Sequence, residues 1–545
     1  MIYYLTGKQA QCIDRYTQDV IGIPGIVLME KAAEKLVCFV ESKIKDAGRD
    51  KILCIVESGN NGGDAVACAR ILKCRGYRTA VYEIGAIPSK SESYQKQIEI
   101  ARNTGVEFVE GNGENPSAAD YAAVFSGYDI IVDGIFGIGL SREVKGIHKE
   151  VIEGINLVSP ESYIVGCDIP SGICAGNGKI LGAAVKCHAT VTFGYTKLGM
   201  LFAEGRNYCG EIICEDIGLY HVKSENEIRE IERDFSKIPE GPVYGEFEAK
   251  DVKEVLPERK ADSNKGTYGK VLIVAGSEDV YGALYLSATA CYKAGAGLVK
   301  VVTHENNRNL LMDKIPEAMM LTYCSKDAEK TRNASDGNFW EKYCQAAEWA
   351  DVILIGPGLG CTEFSAQLLE GVTEYVKEGQ KVVLDADALN LLSEGETKER
   401  LMKFTEKPGP DSVVITPHMA EAARLLKISV DEIKENRVAA AGRLSDEGRV
   451  ICVLKDARTI VTKPGDTKDR FVYVNTTGNS GMSKGGSGDV LAGLTAGLLA
   501  RNKACVKNDY ELVCAAVNMH GLAGDAAREK LGEEQMLPGD MLAFV

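Results

Sequence analysis

Short, wholly apolar runs recur along this chain, separated by stretches in which apolar residues return every three or four positions. The runs predict buried strands and the intervening stretches predict amphipathic helices. In the first half the strands fall at 51–57, 79–84, 130–132, 163–167 and 189–193, after a helical opening broken at Pro24. In the second half they fall at 270–276, 299–303, 352–355, 382–385, 413–416 and 451–454. Strand alternating with helix is the pattern of a parallel, doubly wound α/β sheet, so each half is expected to fold that way.

Between His221 and Lys260 the alternation stops. Glu225, Glu227, Arg229, Glu230, Glu232, Arg233 and Asp234 crowd together there, followed by Pro239 and Pro242. This segment marks a boundary, giving a first domain over 1–220, a charged linker over 221–247 and a second domain over 248–545. No internal repeat relates the halves.

A chain of 545 residues, 45% hydrophobic and 26% charged, is long enough for two sizeable cores. Its net charge of −15 argues against general affinity for nucleic acid or an anionic membrane and favours small-molecule partners. The 17 cysteines are odd in number, lie mostly in apolar runs and form no C-x-x-C pair, as expected of free thiols in a reducing cytoplasm. Six scattered histidines lack zinc-ligand spacing, and no run of about 18 apolar residues occurs. A soluble cytoplasmic protein is expected.

The richest chemistry lies in Gly478-Asn479-Ser480-Gly481-Met482-Ser483-Lys484-Gly485-Gly486-Ser487-Gly488-Asp489, which leads into the apolar run Val490-Leu491-Ala492-Gly493-Leu494. Glycines let successive N–H groups converge on one point, and a helix opening at Val490 would add its own free N–H groups and dipole. A phosphate fits that nest. Asp489 then lies beside it as a proton acceptor or metal contact. The loop has neither the Gly-Lys-Ser/Thr ending of a Walker loop nor a G-x-G-x-x-G fingerprint.

Ligands of open α/β sheets lie beyond the carboxyl ends of the strands. In the first half three loops fall there: Asn60-Asn61-Gly62-Gly63-Asp64, the run from Asp133 through Gly137-Ile138-Gly139-Leu140-Ser141-Arg142, and Asp168-Ile169-Pro170-Ser171-Gly172. Their glycines expose N–H groups to phosphates, while Asn61, Asp133 and Ser171 offer oxygen ligands suited to a hard cation. Asp168 is left as the general acid or base. Each loop alone could be an ordinary turn, and an Asp after a strand often only caps a helix. Three together make the case.

These loops, with Thr192-Phe193-Gly194-Tyr195-Thr196-Lys197, resemble the NAD(P)H-hydrate epimerase domain, a Rossmann-like fold, over about residues 1–220. The resemblance implies that residues 60–64, 137–142 and Asp168 contact a hydrated nicotinamide nucleotide, and that Asn61, Asp133 and Ser171 bind potassium. Ile138 stands where the family usually has Thr, and an acidic stretch usual after Ser-Gly is replaced by Ile173-Cys174-Ala175-Gly176.

From about residue 248 the chain resembles the ribokinase-like, ADP- or ATP-dependent NAD(P)H-hydrate dehydratases. The resemblance rests on Lys265-Gly266-Thr267-Tyr268-Gly269, Tyr281-Gly282-Ala283, Gly356-Pro357-Gly358-Leu359-Gly360, Asp385-Ala386-Asp387-Ala388-Leu389-Asn390, Thr416-Pro417-His418 with Glu421, and the loop ending at Asp489. It implies that Ala283, Gly358, Gly360 and His418 contact substrate and that Asp489 is the catalytic base. It also implies that Lys455, Asp456, Ala457, Arg458 and Thr459, with Gly485, Gly486, Ser487 and Gly488, bind the nucleotide. Asp456 replaces a usual Gly. Asp385 and Asp387 could be plain helix caps.

Together the halves are similar to bifunctional nicotinamide nucleotide repair proteins. That resemblance implies ADP as co-substrate, potassium in the first domain, magnesium in the second, and a homo-oligomer. Two other readings stay open at this point: a ribokinase-type kinase fused to a binding domain, and a first half that serves only as an inactive scaffold.

Overall fold

The computed structural model describes residues 1–85, 91–110, 116–236, 241–256, 259–324, 338–409, 411–466, 468–504 and 508–545. Two compact units divide the chain, one of residues 3–244 and one of residues 1–2 with 245–545.

In the first unit seven strands pair in the order Glu107–Val109, Arg78–Glu83, Lys51–Val56, Ile130–Gly134, Tyr163–Cys167, Ala189–Phe193 and Glu211–Glu215. Every pairing is parallel. The chain moves outward in one direction after Lys51–Val56 and in the other after Ile130–Gly134, so these neighbours form the switch point where α/β sheets open a ligand crevice. Val56 lies beside Gly134, Asp133 beside Gly166, and Cys167 beside Val191, which lines up the strand ends that carry the three loops. Separate apolar cores form on the two faces, one including Leu36, Val66 and Leu72, the other Tyr121, Phe125 and Ile152. The central strands are buried on both faces, which is why they read as unbroken apolar runs.

The segment 221–247, expected as a charged linker, contains the helix Glu225–Phe235. Ser224 caps it, Ile228 and Ile231 are buried, and it packs on the helix Gly7–Asp19, where Gln9 Nε2 donates to Glu232 Oε2 at 3.4 Å. The charge cluster is thus largely the solvated side of an amphipathic helix. Pro239 lies outside the described residues. Pro24, where the opening helix was expected to break, is the N-cap of the helix Gly25–Lys43.

The second unit holds seven parallel strands in the order Ile451–Leu454, Val413–Ile415, Lys381–Leu384, Val352–Ile355, Lys270–Val274, Leu298–His304 and Met319–Tyr323. Ile460–Thr462 and Phe471–Val474 extend the sheet antiparallel beyond Ile451–Leu454. Here the switch point lies between Lys270–Val274 and Val352–Ile355. The helix Ser487–Arg501 is buried from Val490 to Ala500 and packs against the helix Gly282–Lys293. Glycines permit that approach: a Cβ on Gly493 would lie 2.2 Å from the Ser287 carbonyl oxygen, and one on Gly497 2.5 Å from that of Cys291.

Among the described residues no helix is long and apolar enough to cross a membrane, and the described cysteines are all free.

Candidate active sites

A cavity of about 820 Å³ opens at the switch point of the first unit, a size typical of small-molecule sites. It is lined by residues 57–61, Asp64, residues 135–142 and Asp168, so all three loops singled out in the sequence converge there. One detail differs. Residues 60–64, expected as a loop, form the first turn of the helix Asn60–Cys74. The anion-attracting N–H groups of that helix therefore come from the Asn-rich motif itself. Gly62 is required by crowding, since a Cβ there would lie 1.9 Å from Glu57 O, whereas one on Gly63 would meet only the mobile end of Met29, 2.5 Å from its Cε.

Asp133 is wholly buried at the end of its strand. Ser171 N donates to its Oδ2 at 2.8 Å, Ser171 Oγ to its Oδ1 at 2.5 Å, and Ile135 N to Oδ1 at 3.3 Å. Burial outweighs these donors and pushes its pKa up to about 6. Phe136 N donates to Ser171 Oγ at 2.8 Å, fixing the start of the 135–142 loop. Asn61 approaches the same loop, and its side-chain oxygen and nitrogen are both buried without a hydrogen-bond partner. Ile138 packs with Ile169, Ile173 and Met200, so an apolar contact stands where the family's Thr would offer a hydroxyl. Ser141 and Arg142 are exposed at the rim.

Asp168 follows the strand Tyr163–Cys167 with φ +65°, a left-handed conformation that costs a non-glycine residue on the order of 1 kcal/mol. Its Oδ1 accepts from Lys197 Nζ, from Thr192 Oγ1 at 3.2 Å and from Phe193 N at 3.2 Å. Lys197 is 2% exposed and also donates to Thr192 Oγ1 at 2.8 Å and Phe193 O at 3.1 Å. Lys197 had not been selected from the sequence as a site residue, although the motif that ends in it follows a strand, the usual place for one. Asp14, from the helix Gly7–Asp19, also lines the cavity. Nothing in the sequence marks it, because it lies on an ordinary amphipathic helix.

In the second unit the Gly-rich loop turns through Gly478 (φ +99°) and Gly486 (φ +108°) into its helix. The helix opens at Ser487 rather than at Val490, which places Asp489 in its first turn beside the free N–H groups. Burial, then the nearby Asp385 carboxylate, pushes the Asp489 pKa up to about 7 despite the opposing Lys455. Ser287 Oγ donates to the Asp489 carbonyl oxygen at 3.1 Å. His520 Nε2 donates to Ser487 O at 2.9 Å, and burial lowers its pKa to about 4, so the ring is neutral near pH 7.

Lys455 links the strand ends to this loop. Its Nζ donates to Asp385 Oδ1 at 2.7 Å and lies 3.3 Å from where a Cβ on Gly488 would stand. Burial works against the ammonium, but Asp385 and Glu421 outweigh it and the pKa is raised. Thr416 Oγ1 donates to the same Asp385 oxygen at 2.6 Å. Asp385 is thus an integral part of a buried network, and the intervening Ala386 carries φ +46°. Asp387 accepts from Gly360 N at 2.8 Å and so fixes the 356–360 loop. Gly358 touches the 280–283 turn, where its Cβ would lie 3.0 Å from Ala283 Cβ. His418 caps the helix Met419–Leu426, accepting from Ala420 N at 3.1 Å and Glu421 N at 3.3 Å through Nδ1. Its ring is still 51% exposed, and the neutral ring keeps its proton on Nε2. Asp456, the departure from the family pattern, pairs with Arg437. Residues 457–459 continue the loop after the strand Ile451–Leu454.

These features define a fused α/β enzyme in which each unit carries Gly-rich loops and a strained backbone at or beside a carboxylate-bearing strand end. A family model described as NAD(P)H-hydrate dehydratase matches residues 271–544, and one described as YjeF-related protein N-terminus matches residues 25–199. The chain is 33% identical over 548 residues to the bifunctional NAD(P)H-hydrate repair enzyme Nnr of Moorella thermoacetica, covering 100% of this chain and 96% of that one. It is 31% identical over 530 residues to the protein of the same name from Escherichia coli, covering 97% and 90%. A solved ADP/ATP-dependent NAD(P)H-hydrate dehydratase from Bacillus subtilis, co-crystallised with ATP and Mg2+, covers 56% of this chain and 96% of its own at 28% identity, with a TM-score of 0.46. The chain belongs to the family of bifunctional NAD(P)H-hydrate repair enzymes.

Proposed function

We propose that this chain restores hydrated NADH and NADPH, interconverting the (R)- and (S)-hydrates in its first unit and dehydrating the (S)-hydrate in its second. The observation that carries the reading is Asp168 on the lining of the first unit's cavity and Asp489 in the electrostatic reach of Asp385 and Lys455 in the second, within a chain matched end to end by repair enzymes. Hydroxide is a poor leaving group from the reduced ring, so the hydroxyl is first phosphorylated. Asp489 takes the hydroxyl proton as the terminal phosphoryl group of ADP arrives, and the N–H groups of residues 485–488 face the charge that spreads over it. Lys455, anchored on Asp385, adds a positive charge beside that nest. Phosphate then leaves with a ring proton, restoring the dihydropyridine and leaving AMP. Ala283, Gly358, Gly360 and His418 orient the substrate, and residues 455–459 hold the nucleotide. Asp168 moves the proton in the first unit, where residues 60–64 and 137–142 hold the hydrate.

Potassium fits the first site. The unpartnered Asn61 side chain, the buried Asp133 carboxylate and Ser171 Oγ are hard oxygen ligands, and a cation among them would supply the charge Asp133 lacks. No cluster of three His, Cys, Asp or Glu suited to a metal occurs among the described residues. In the second unit Asp385 is already engaged by Lys455 and Thr416, so magnesium is proposed only as the companion of the nucleotide phosphates. The described cysteines, all free, fit a reducing cytoplasm.

The test is incubation of the purified chain with a mixture of hydrate epimers and ADP while dihydronicotinamide absorbance is followed. Conversion of the whole mixture, with AMP and phosphate as products, supports both activities; conversion of the (S)-hydrate alone removes the epimerase. ADP and ATP, each freed of the other, are compared in the same assay. A site that brings the β-phosphate to Asp489 should give ADP a kcat/KM at least about tenfold higher, a difference of roughly 1.4 kcal/mol. Equal rates would overturn the ADP preference and leave the dehydratase reading in place.

A further inference from the structure

Four carboxylates and one ammonium converge on the cavity of the first unit: Asp14 from the helix Gly7–Asp19, Glu57 just past the strand Lys51–Val56 and 3.0 Å from His148 Nε2, Asp64 from the helix Asn60–Cys74, and Asp168 and Lys197 from the strand ends. Lys197 spends its three protons on Asp168, Thr192 and Phe193. None is left for the other three carboxylates. Asp14 accepts from Gln18 Nε2 at 2.8 Å. Asp64 makes no hydrogen bond to any described residue, although it lines the cavity. Arg142, the other cation on the lining, is exposed at the rim.

We propose that Asp64 is the general acid of epimerisation and Asp168 the general base, an assignment that rests on the epimerase reading above. The two carboxylates share one cavity but have opposite surroundings. Asp168 accepts an ammonium, a hydroxyl and a backbone N–H, the setting of a charged acceptor. Asp64 has no donor, and the charges acting on it are Asp168 and Asp14, which repel its anion, and the more weakly felt Lys197; burial is the largest influence, and together they raise its pKa well above the ordinary value. A carboxyl without donors beside a carboxylate held by an ammonium is how a single site divides acid from base.

The chemistry balances. Asp64 gives its proton to the ring hydroxyl as the C–O bond breaks, the ring nitrogen's lone pair forms a C=N bond, and water departs. A water molecule then adds to the other face of that iminium carbon, the C=N electrons return to nitrogen, and Asp168 takes the proton released. Exchange with solvent moves this proton back to Asp64. Each inversion therefore carries one solvent oxygen into the product.

The experiment uses the full chain. Asp64→Asn should lower kcat/KM for epimerisation by on the order of 10²–10⁴ while dehydration of the (S)-hydrate in the same sample stays at the wild-type rate, showing a folded chain. In the wild type, epimerisation should decline at high pH as Asp64 loses its proton. Asp14→Asn, which removes a repelling charge, should move that decline to lower pH by about half to one unit. In water enriched in ¹⁸O the wild type should incorporate label at the rate of inversion. The assignment is overturned if Asp64→Asn epimerises within tenfold of wild type, if Asp14→Asn leaves the high-pH decline in place, or if inversion proceeds without label. A wild-type chain that fails to accelerate exchange of the epimers overturns the epimerase reading itself.

Discussion

Asp489 shows how one residue's surroundings set both rate and stability. With a pKa near 7 in the free protein, it is available as a base only above about that pH, so kcat/KM for dehydration should fall as pH drops through 7. Asp489→Asn should reduce dehydration by on the order of 10²–10⁴, abolish that pH dependence and leave epimerisation intact. A wild-type rate in the variant would remove Asp489 from the mechanism. The same shift has a sign for folding. The folded-state pKa lies above the unfolded value near 4, so the proton-linked stabilisation is fully present below about pH 4 and is lost as pH rises through 7. At pH 8 the ionised carboxylate therefore destabilises the fold, by on the order of 1–3 kcal/mol once partial solvation is allowed for. The Asn variant should be the more stable protein at pH 8 in denaturant titrations, with the advantage shrinking toward pH 4. The strained backbones of Asp168 and Ala386 fit the same pattern, since two of the five described non-glycine residues with positive φ stand at these two sites.

At the scale of elements, the second site depends on how closely the helices Gly282–Lys293 and Ser487–Arg501 approach. Gly493 allows that contact and lies one turn beyond Asp489, whose carbonyl receives Ser287 Oγ from the facing helix. Gly493→Ala must force the helices apart, at a cost of about 1–3 kcal/mol. The temperature at which dehydratase activity is lost should fall by about 2–4 °C per kcal/mol, and the rate itself should drop, while epimerisation persists. Unchanged thermal loss would show that the interface yields without cost. Much of this architecture was legible in the chain. The central strands, buried on both faces, read as apolar runs and mostly appear within a residue or two of their expected bounds. The edge strands Glu107–Val109, Glu211–Glu215 and Met319–Tyr323 did not stand out, because their exposed or half-exposed positions break the run. The starts of the helices at Asn60 and Ser487 were hidden by glycines and polar residues, which favour loops; at the first, the Glu57 carbonyl oxygen leaves Gly62 no room for a Cβ. The site motifs were legible where chemistry is concentrated in a short stretch. Asp14 reaches the cavity only through packing, so no local spacing announces it.

Across the whole molecule, the two sets of site residues fall in different stretches of the chain. The first is lined by residues between Ala10 and Leu219, and the second draws on residues from Val280 to His520. The residues assigned to the two activities thus come from separate stretches of the chain, so the activities should separate by mutation and recombine in solution. Asp168→Ala should dehydrate the (S)-hydrate normally and consume the (R)-hydrate only at the rate of its spontaneous conversion. Asp489→Asn should equilibrate the epimers and dehydrate neither. When the two variants are mixed with ADP and both hydrates, the Asp489→Asn chains should convert (R)- to (S)-hydrate, release it, and supply the Asp168→Ala chains. The whole mixture should then return to dihydronicotinamide, at a rate that rises with the concentration of either variant until the other becomes limiting. Rapid (R)-hydrate use by Asp168→Ala alone would sink its assignment as the base. Failure of the mixture to consume the (R)-hydrate, with each single activity intact, would mean that the intermediate passes between the two sites of one chain without release.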